Sequence, residues 1–305
     1  MSDSRRLVDA HHHLWDLDRR RQPWLDEPGH EPIRRTFGTA DLRSAATRPI
    51  AGRKPASTVV VQCTASLSET RELLALAGAD PLIGAVVGWV DLASPAVADT
   101  LDSLLAGPGG PYLRALRHLV QSESDPAWLQ RPAVERGLRA LGERGLAYDV
   151  LIRSPQFDQA IHLAERFPAL PIVLDHAGKP PIARGELGNW DRQLRTLAAH
   201  PQVRCKVSGL VTEADRQNWT TEDIRPVWDV LLSAFGPDRL MFGSDWPVCV
   251  LAGGWNQWAA TVEDLLVDCS TTETSAILAD TATAFYRLNR TAPRTSGRKE
   301  GTPCS

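Results

Sequence analysis

Two histidines one residue apart, His11 and His13, close the apolar run LVDAHHHLWD near the start of the chain. On an extended strand, residues two apart point to the same side, so His11 and His13 face one way and His12 the other. Two imidazoles at one strand end can hold a divalent ion or a polarised oxygen. Far along the chain, the runs VLDHAGKP and LMFGSDWPVC end in His176 and Asp245. Three imidazoles and a carboxylate make an N/O donor set of the kind Zn²⁺ or Mn²⁺ accepts. An isolated H-x-H pair is a weak signal, and any one of these histidines has an ordinary hydrogen-bonded role as its alternative. It is the coincidence of His11, His13, His176 and Asp245 at separate strand ends that carries weight.

Other strand ends offer substrate contacts. Arg117 and His118 close LRALRHLV, where a cation in an apolar run needs either a barrel carboxylate or an anionic substrate group as partner. Gln62, Asp149 and Lys206 are candidates for hydroxyl or carboxylate contacts, and Trp246 for the pocket wall because it adjoins Asp245. Trp15, Trp24 and Trp89 fit core or lid packing as well as a pocket. His12, His30, His162 and His200 are read as structural or surface residues.

These residues need a scaffold that gathers strand ends. Eight short apolar runs recur: Leu7 to His11, Thr58 to Cys63, Ile83 to Val90, Leu113 to Leu119, Leu146 to Ile152, Pro171 to His176, Val203 to Val207 and Arg239 to Phe242. Their continuous hydrophobicity suits strands covered on both faces, as in parallel sheets. Between them lie stretches of helical periodicity, from Ser68, Arg131, Ser154 and Glu222, with Ser68 and Ser154 as start signals and Gly145 and Gly236 as stops. Strand alternating with helix eight times predicts an α/β fold, a single (β/α)₈ TIM barrel spanning residues 1–290 with catalytic groups at the carboxyl ends of its strands. Residues 14–57 form a long, proline-rich first loop, expected to act as a lid. The tail, residues 291–305, has too few apolar residues to order and is expected to be disordered.

Composition excludes several classes. With 43% hydrophobic and 23% charged residues and a formal net charge of −3, nothing favours nucleic acid or an anionic membrane as partner. Five scattered cysteines, Cys63, Cys205, Cys249, Cys269 and Cys304, without a C-x-x-C pair, indicate neither a disulfide framework nor a cysteine zinc site. No signal peptide or membrane span is visible, so the expected location is cytoplasmic, as monomer or homodimer.

DAHHHLWD, LRALRHLV, LAYDVLI, VLDHAGKP, CKVSGL and LMFGSDWPVC, in this order from Leu7 to Leu288, resemble the amidohydrolase superfamily of metal-dependent hydrolases. Within it they are similar to the sugar-lactone hydrolase branch, related to sulfomuconolactone and pyrone-dicarboxylate lactonases. The resemblance implies hydrolysis of a small lactone, with Asp245 as general base and His11, His13 and His176 binding one divalent metal (Zn or Mn) or, in a metal-independent mechanism, holding the substrate carbonyl. Arg117 and His118 would orient the substrate. The chain lacks an evident carboxylated lysine or bridging carboxylate, which argues against two metals. Two other readings stand beside it. One is metal-dependent decarboxylation of a small unsaturated or aromatic acid; the other is a non-catalytic barrel that binds a sugar acid or metal.

Overall fold

The structure, a computed structural model, describes residues 6–288. Eight parallel strands pair in chain order, β1 (Arg6–His12), β2 (Lys54–Val61), β3 (Ile83–Gly88), β4 (Leu113–His118), β5 (Ala147–Val150), β6 (Ile172–Leu174), β7 (Val203–Val207) and β8 (Leu240–Phe242). All eight overlap the runs read from the sequence. The ring closes where the segment after β8 meets the end of β1: His13 N donates to the Trp246 carbonyl at 2.7 Å and Asp245 N to the His11 carbonyl at 2.8 Å. This is the (β/α)₈ barrel.

Helices α1 (Thr39–Ala45), α2 (Leu67–Ala79), α3 (Val97–Ala106), α4 (Pro132–Glu143), α5 (Phe157–Arg166), α6 (Leu187–Ala198), α7 (Thr221–Phe235) and α8 (Gly254–Leu265) alternate with the strands. The cap of α2 is Ser66, whose hydroxyl accepts from Glu69 N, rather than Ser68 two residues later. Ser68 looked equally good in sequence, but only Ser66 lies three residues before an amide the helix leaves unpaired. After α8 come α9 (Thr271–Ser275), a π-turn over Ala276–Asp280 and α10 (Thr281–Phe285). Ala279, Ala282 and Tyr286 from this segment join Val8, Ala10, Val59, Val61 and their neighbours in the core inside the ring, while Leu7 and Val60 belong to the larger core between ring and helices.

The first loop ends at Arg53, because β2 begins at Lys54, four residues before the apolar run. Within it Trp15 pairs with Phe37 across an antiparallel bridge, and the Trp15 indole donates to the Arg35 carbonyl at 2.6 Å. Cys63, Cys205, Cys249 and Cys269 are free thiols; the fifth cysteine and the tail 291–305 lie outside the described residues. Among the described residues no helix is long and apolar enough to cross a membrane.

Candidate active site at the carboxyl end of the barrel

β1 does not run straight into the site. Between Asp9 and His12 it advances three residues while β2, from Thr58 to Val60, advances two. This one-residue bulge reverses the alternation of sides. A straight strand would send His12 inward with Val8 and Ala10. Instead His11 and His13 turn to the barrel axis, and His12 lies in the outer layer with its Nε2 bonded to Thr58 Oγ1 at 2.9 Å.

Two turns aim the other site residues. His176 (φ 52°) and Asp245 (φ 55°) both adopt the left-handed backbone conformation. Side chains other than glycine's avoid it at a cost of about 1–2 kcal/mol, and such strain concentrates at functional sites. Neighbouring glycines make the room. A Cβ on Gly209 would stand 2.5 Å from His176 Nδ1 and 3.0 Å from Asp245 Oδ2, and one on Gly243 would stand 2.7 Å from His11 Cβ. Asp9 locks the seam: its carboxylate accepts from Ser244 N at 2.8 Å, Ser244 Oγ at 2.6 Å and His11 N at 3.2 Å. Burial pushes its pKa up to about 7 despite those bonds.

The four residues converge. Asp245 Oδ1 lies 3.7, 3.4 and 4.0 Å from Nε2 of His11, His13 and His176, and the His11 and His13 Nε2 atoms are 3.2 Å apart. Ligand atoms around a tetrahedral zinc sit about 3.3–3.4 Å from one another. His13 Nδ1 is bonded to the Val61 carbonyl at 2.8 Å, which fixes its proton there and leaves Nε2 with a lone pair; His176 Nδ1 is bonded to Ser208 Oγ at 2.9 Å. Spacing and donor chemistry fit one divalent ion.

Burial alone would raise the Asp245 carboxyl, but the imidazoles of His176 and His13, with Lys179, outweigh it and hold its pKa below the ordinary carboxylate value. It is therefore ionised near neutral pH. Burial lowers His176 to about 4 and His11 well below the usual histidine range, so both imidazoles are neutral there.

Beneath them lies a buried charged layer. The Lys206 ammonium is 2.6 Å from Asp149 Oδ2 and 3.0 Å from Asp175 Oδ1; Arg117 Nη1 is 3.0 Å from Asp175 Oδ2. Tyr286, rising from the opposite end of the barrel, donates to Asp149 Oδ2 at 2.9 Å. Lys206, Arg117 and His11 outweigh burial and keep the Asp175 pKa well below the carboxylate range, whereas burial lifts Asp149 to about 6.

This layer gives several of the candidate substrate contacts partners within the protein. Arg117 takes the barrel carboxylate, Asp175, as its partner and also donates to the Gln62 carbonyl. Gln62, Asp149 and Lys206 have no exposed surface and bond within the layer. His118 points elsewhere. It stacks on Trp128 with ring centroids 3.8 Å apart, accepts from the Trp89 indole at 3.1 Å and bonds Glu123 at 2.7 Å. Trp246 packs edge-on against Phe37 of the first loop at 5.2 Å and is buried. Sequence reasoning assigns no role to Asp9, Asp175, Ser208 or Tyr286. Asp175 was legible as the neighbour of His176, but nothing in the sequence pairs Tyr286 with Asp149.

Comparison with known proteins places the chain. A protein named L-fucono-1,5-lactonase from Burkholderia multivorans is 38% identical over 92% of this chain and 96% of its own length. Another of that name, from Burkholderia ambifaria, is 35% identical over 93% and 96%. The crystal structure of an amidohydrolase from Burkholderia multivorans with bound zinc superposes with a TM-score of 0.84 at 37% identity, covering 92% of this chain and 99% of that one. Residues 8–288 match the model of the Amidohydrolase family, and the chain belongs to that family.

Proposed function

We propose that this protein hydrolyses a small lactone, with sugar 1,5-lactones as the first class to test and carboxylated lactones as the second. The carrying observation is the Asp245 carboxylate set among three imidazole Nε2 atoms at the carboxyl end of the barrel. The relatives named as fuconolactonases support the choice of bond.

Asp245 takes a proton from water as the oxygen attacks the ring carbonyl, and the same proton is then available to the departing ring oxygen. A positioned base of this kind contributes roughly 10²–10⁴-fold. Charge that develops on the carbonyl oxygen is met by groups already in place around it. Only an imidazole with its proton on Nε2 can donate to that oxygen, a role open to His11 and to His176, whose ring is fixed by Ser208; His13, its proton held on Nδ1 by Val61, presents a lone pair and would bind an ion instead. A divalent ion held by His11, His13, His176 and Asp245 would supply Lewis-acid polarisation and a more acidic water. The aromatic contact of Phe37 with Trp246 supports the first loop as a lid beside Asp245. The reading places the enzyme in cytoplasmic carbohydrate breakdown.

The test is indicator-monitored proton release over aldono-1,5-lactones, 1,4-lactones and dicarboxylate lactones, with chelator, Zn²⁺ or Mn²⁺. Acid release from at least one lactone class, reduced about 100-fold or more in Asp245→Asn, is expected. Wild-type turnover in a folded Asp245→Asn protein rejects the base assignment, and carbon dioxide release in place of ring opening rejects the reaction.

A further inference from the structure

We infer that Lys206 is a positioning residue that fixes the tautomer of His11, holding its proton on Nε2 in the metal-free protein and making His11 a hydrogen-bond donor there rather than a ready metal ligand. The inference deepens the lactonase reading and rests on it only for the meaning of the donor.

Hydrogen-bond directions assign the protons. The Val61 carbonyl can only accept, so the neutral His13 imidazole carries its proton on Nδ1 and presents a lone pair at Nε2. His11 Nε2 stands 3.2 Å from that lone pair. Without an ion between them, two lone pairs at that distance repel, and the contact is a hydrogen bond only if His11 Nε2 bears the proton. His11 Nδ1 must then accept. A donor waits at 3.1 Å, the Lys206 ammonium, which also donates to Asp149 Oδ2 at 2.6 Å, while Asp175 Oδ1, 3.0 Å away, is an ion-pair neighbour that takes no hydrogen bond. One chain of donors then runs from Lys206 to His11 to His13 to Val61.

The opposite tautomer has weaker support. It needs His11 Nδ1 to donate to Asp175 Oδ1, which at 3.4 Å is farther than Lys206 at 3.1 Å and takes no hydrogen bond from the imidazole. Arg117 Nη1 is 3.5 Å from His11 Nε2 but closer to Asp175, at 3.0 Å. Metal binding requires this opposite tautomer, with Asp175 as the carboxylate behind a metal-bound histidine. Lys206 therefore stands between two uses of one imidazole.

The test begins on the intact wild-type chain. In chelated, ¹⁵N-histidine-labelled protein, long-range ¹⁵N–¹H correlation, with His11 assigned by its loss in His11→Gln, should show the proton on Nε2. A proton on Nδ1 overturns the proposal, whatever the enzyme's substrate. Lys206→Met alone strands two carboxylates, so the second arm is Lys206→Met with Asp149→Asn, which removes one charge of each sign. Asp175 is then free to accept from His11 Nδ1, and Zn²⁺ affinity by calorimetry should rise about 10–100-fold, the usual weight of such a carboxylate behind a metal-bound histidine. Unchanged or weaker zinc binding in the folded double variant also overturns the proposal.

Discussion

Gly209→Ala separates placement of the reacting groups from stability of the barrel. Gly209 has φ +62°, so any L-residue there bears about 1–2 kcal/mol of backbone strain. The new methyl would also lie 2.5 Å from His176 Nδ1 and 3.0 Å from Asp245 Oδ2. Ordinary contacts between heavy atoms are about 3.5–4.0 Å, so the His176 ring must retreat by about 1 Å and loosen its 2.9 Å bond to Ser208. A displacement of that size costs about 10²-fold in rate. Gly185→Ala is the control. Gly185 has φ +68° but nothing within 4 Å of its missing Cβ, so it carries the strain without the clash. Both variants should lose the strain-related stability in urea titration, Gly209→Ala about 1–3 kcal/mol more from the clash, and only Gly209→Ala should lose about two orders of magnitude in lactone kcat/KM. Equal kcat/KM in the two folded variants would refute the claim that the His176 and Asp245 positions limit the reaction.

Further outcomes are expected at neighbouring contacts. Ser208→Ala leaves His176 Nδ1 without its hydroxyl partner and should lower kcat about 10-fold with little change in KM; an unchanged kcat would show that this bond does not orient the ring. Phe37→Ala removes the aromatic contact between the first loop and Trp246 and should raise KM more than it lowers kcat if the loop covers substrate. His12 is held down to about 3 by burial, so below its unfolded value near 6.5 the unfolded chain takes a proton that the folded one refuses. The stability His12 contributes is complete above pH 6.5 and is lost as pH falls toward 3. Urea titrations of His12→Gln should therefore show a shallower acid loss than the parent, and parallel pH profiles would contradict the buried neutral imidazole.

The barrel was legible because its strands are covered on both faces and read as unbroken apolar runs, so each was found where the structure has it. Ends were less legible. β2 starts at Lys54 because Lys54 and Pro55 pair with Arg6 and Leu7, a register partner that no local pattern announces. The inward direction of His11 and His13 followed from their spacing of two, yet spacing could not say which face was inward: continued from Val8 and Ala10, the alternation points His12 into the barrel. A single bulge decides it. The buried layer was hidden for a related reason, since the sequence offers Lys206 and Asp149 as separate candidates and does not show that they lie 2.6 Å apart.

That layer also bears on why the site can work on an uncharged ring. Lys206 and Arg117 balance Asp149 and Asp175 beneath the imidazoles, so the layer's four formal charges sum to zero while Asp245 keeps its own charge above them. Removing one member of such a buried set costs about 3–5 kcal/mol, because its partner is left charged and dry. Asp175→Asn should therefore act twice, weakening the fold by freeing Arg117 and Lys206 and disturbing His11 through its Nδ1 side. Asp149→Asn, one residue removed from His11, should weaken the fold with a smaller effect on turnover. Equal loss of turnover in the two folded variants would mean that the layer acts only as a support, with no directional influence on the imidazoles above it.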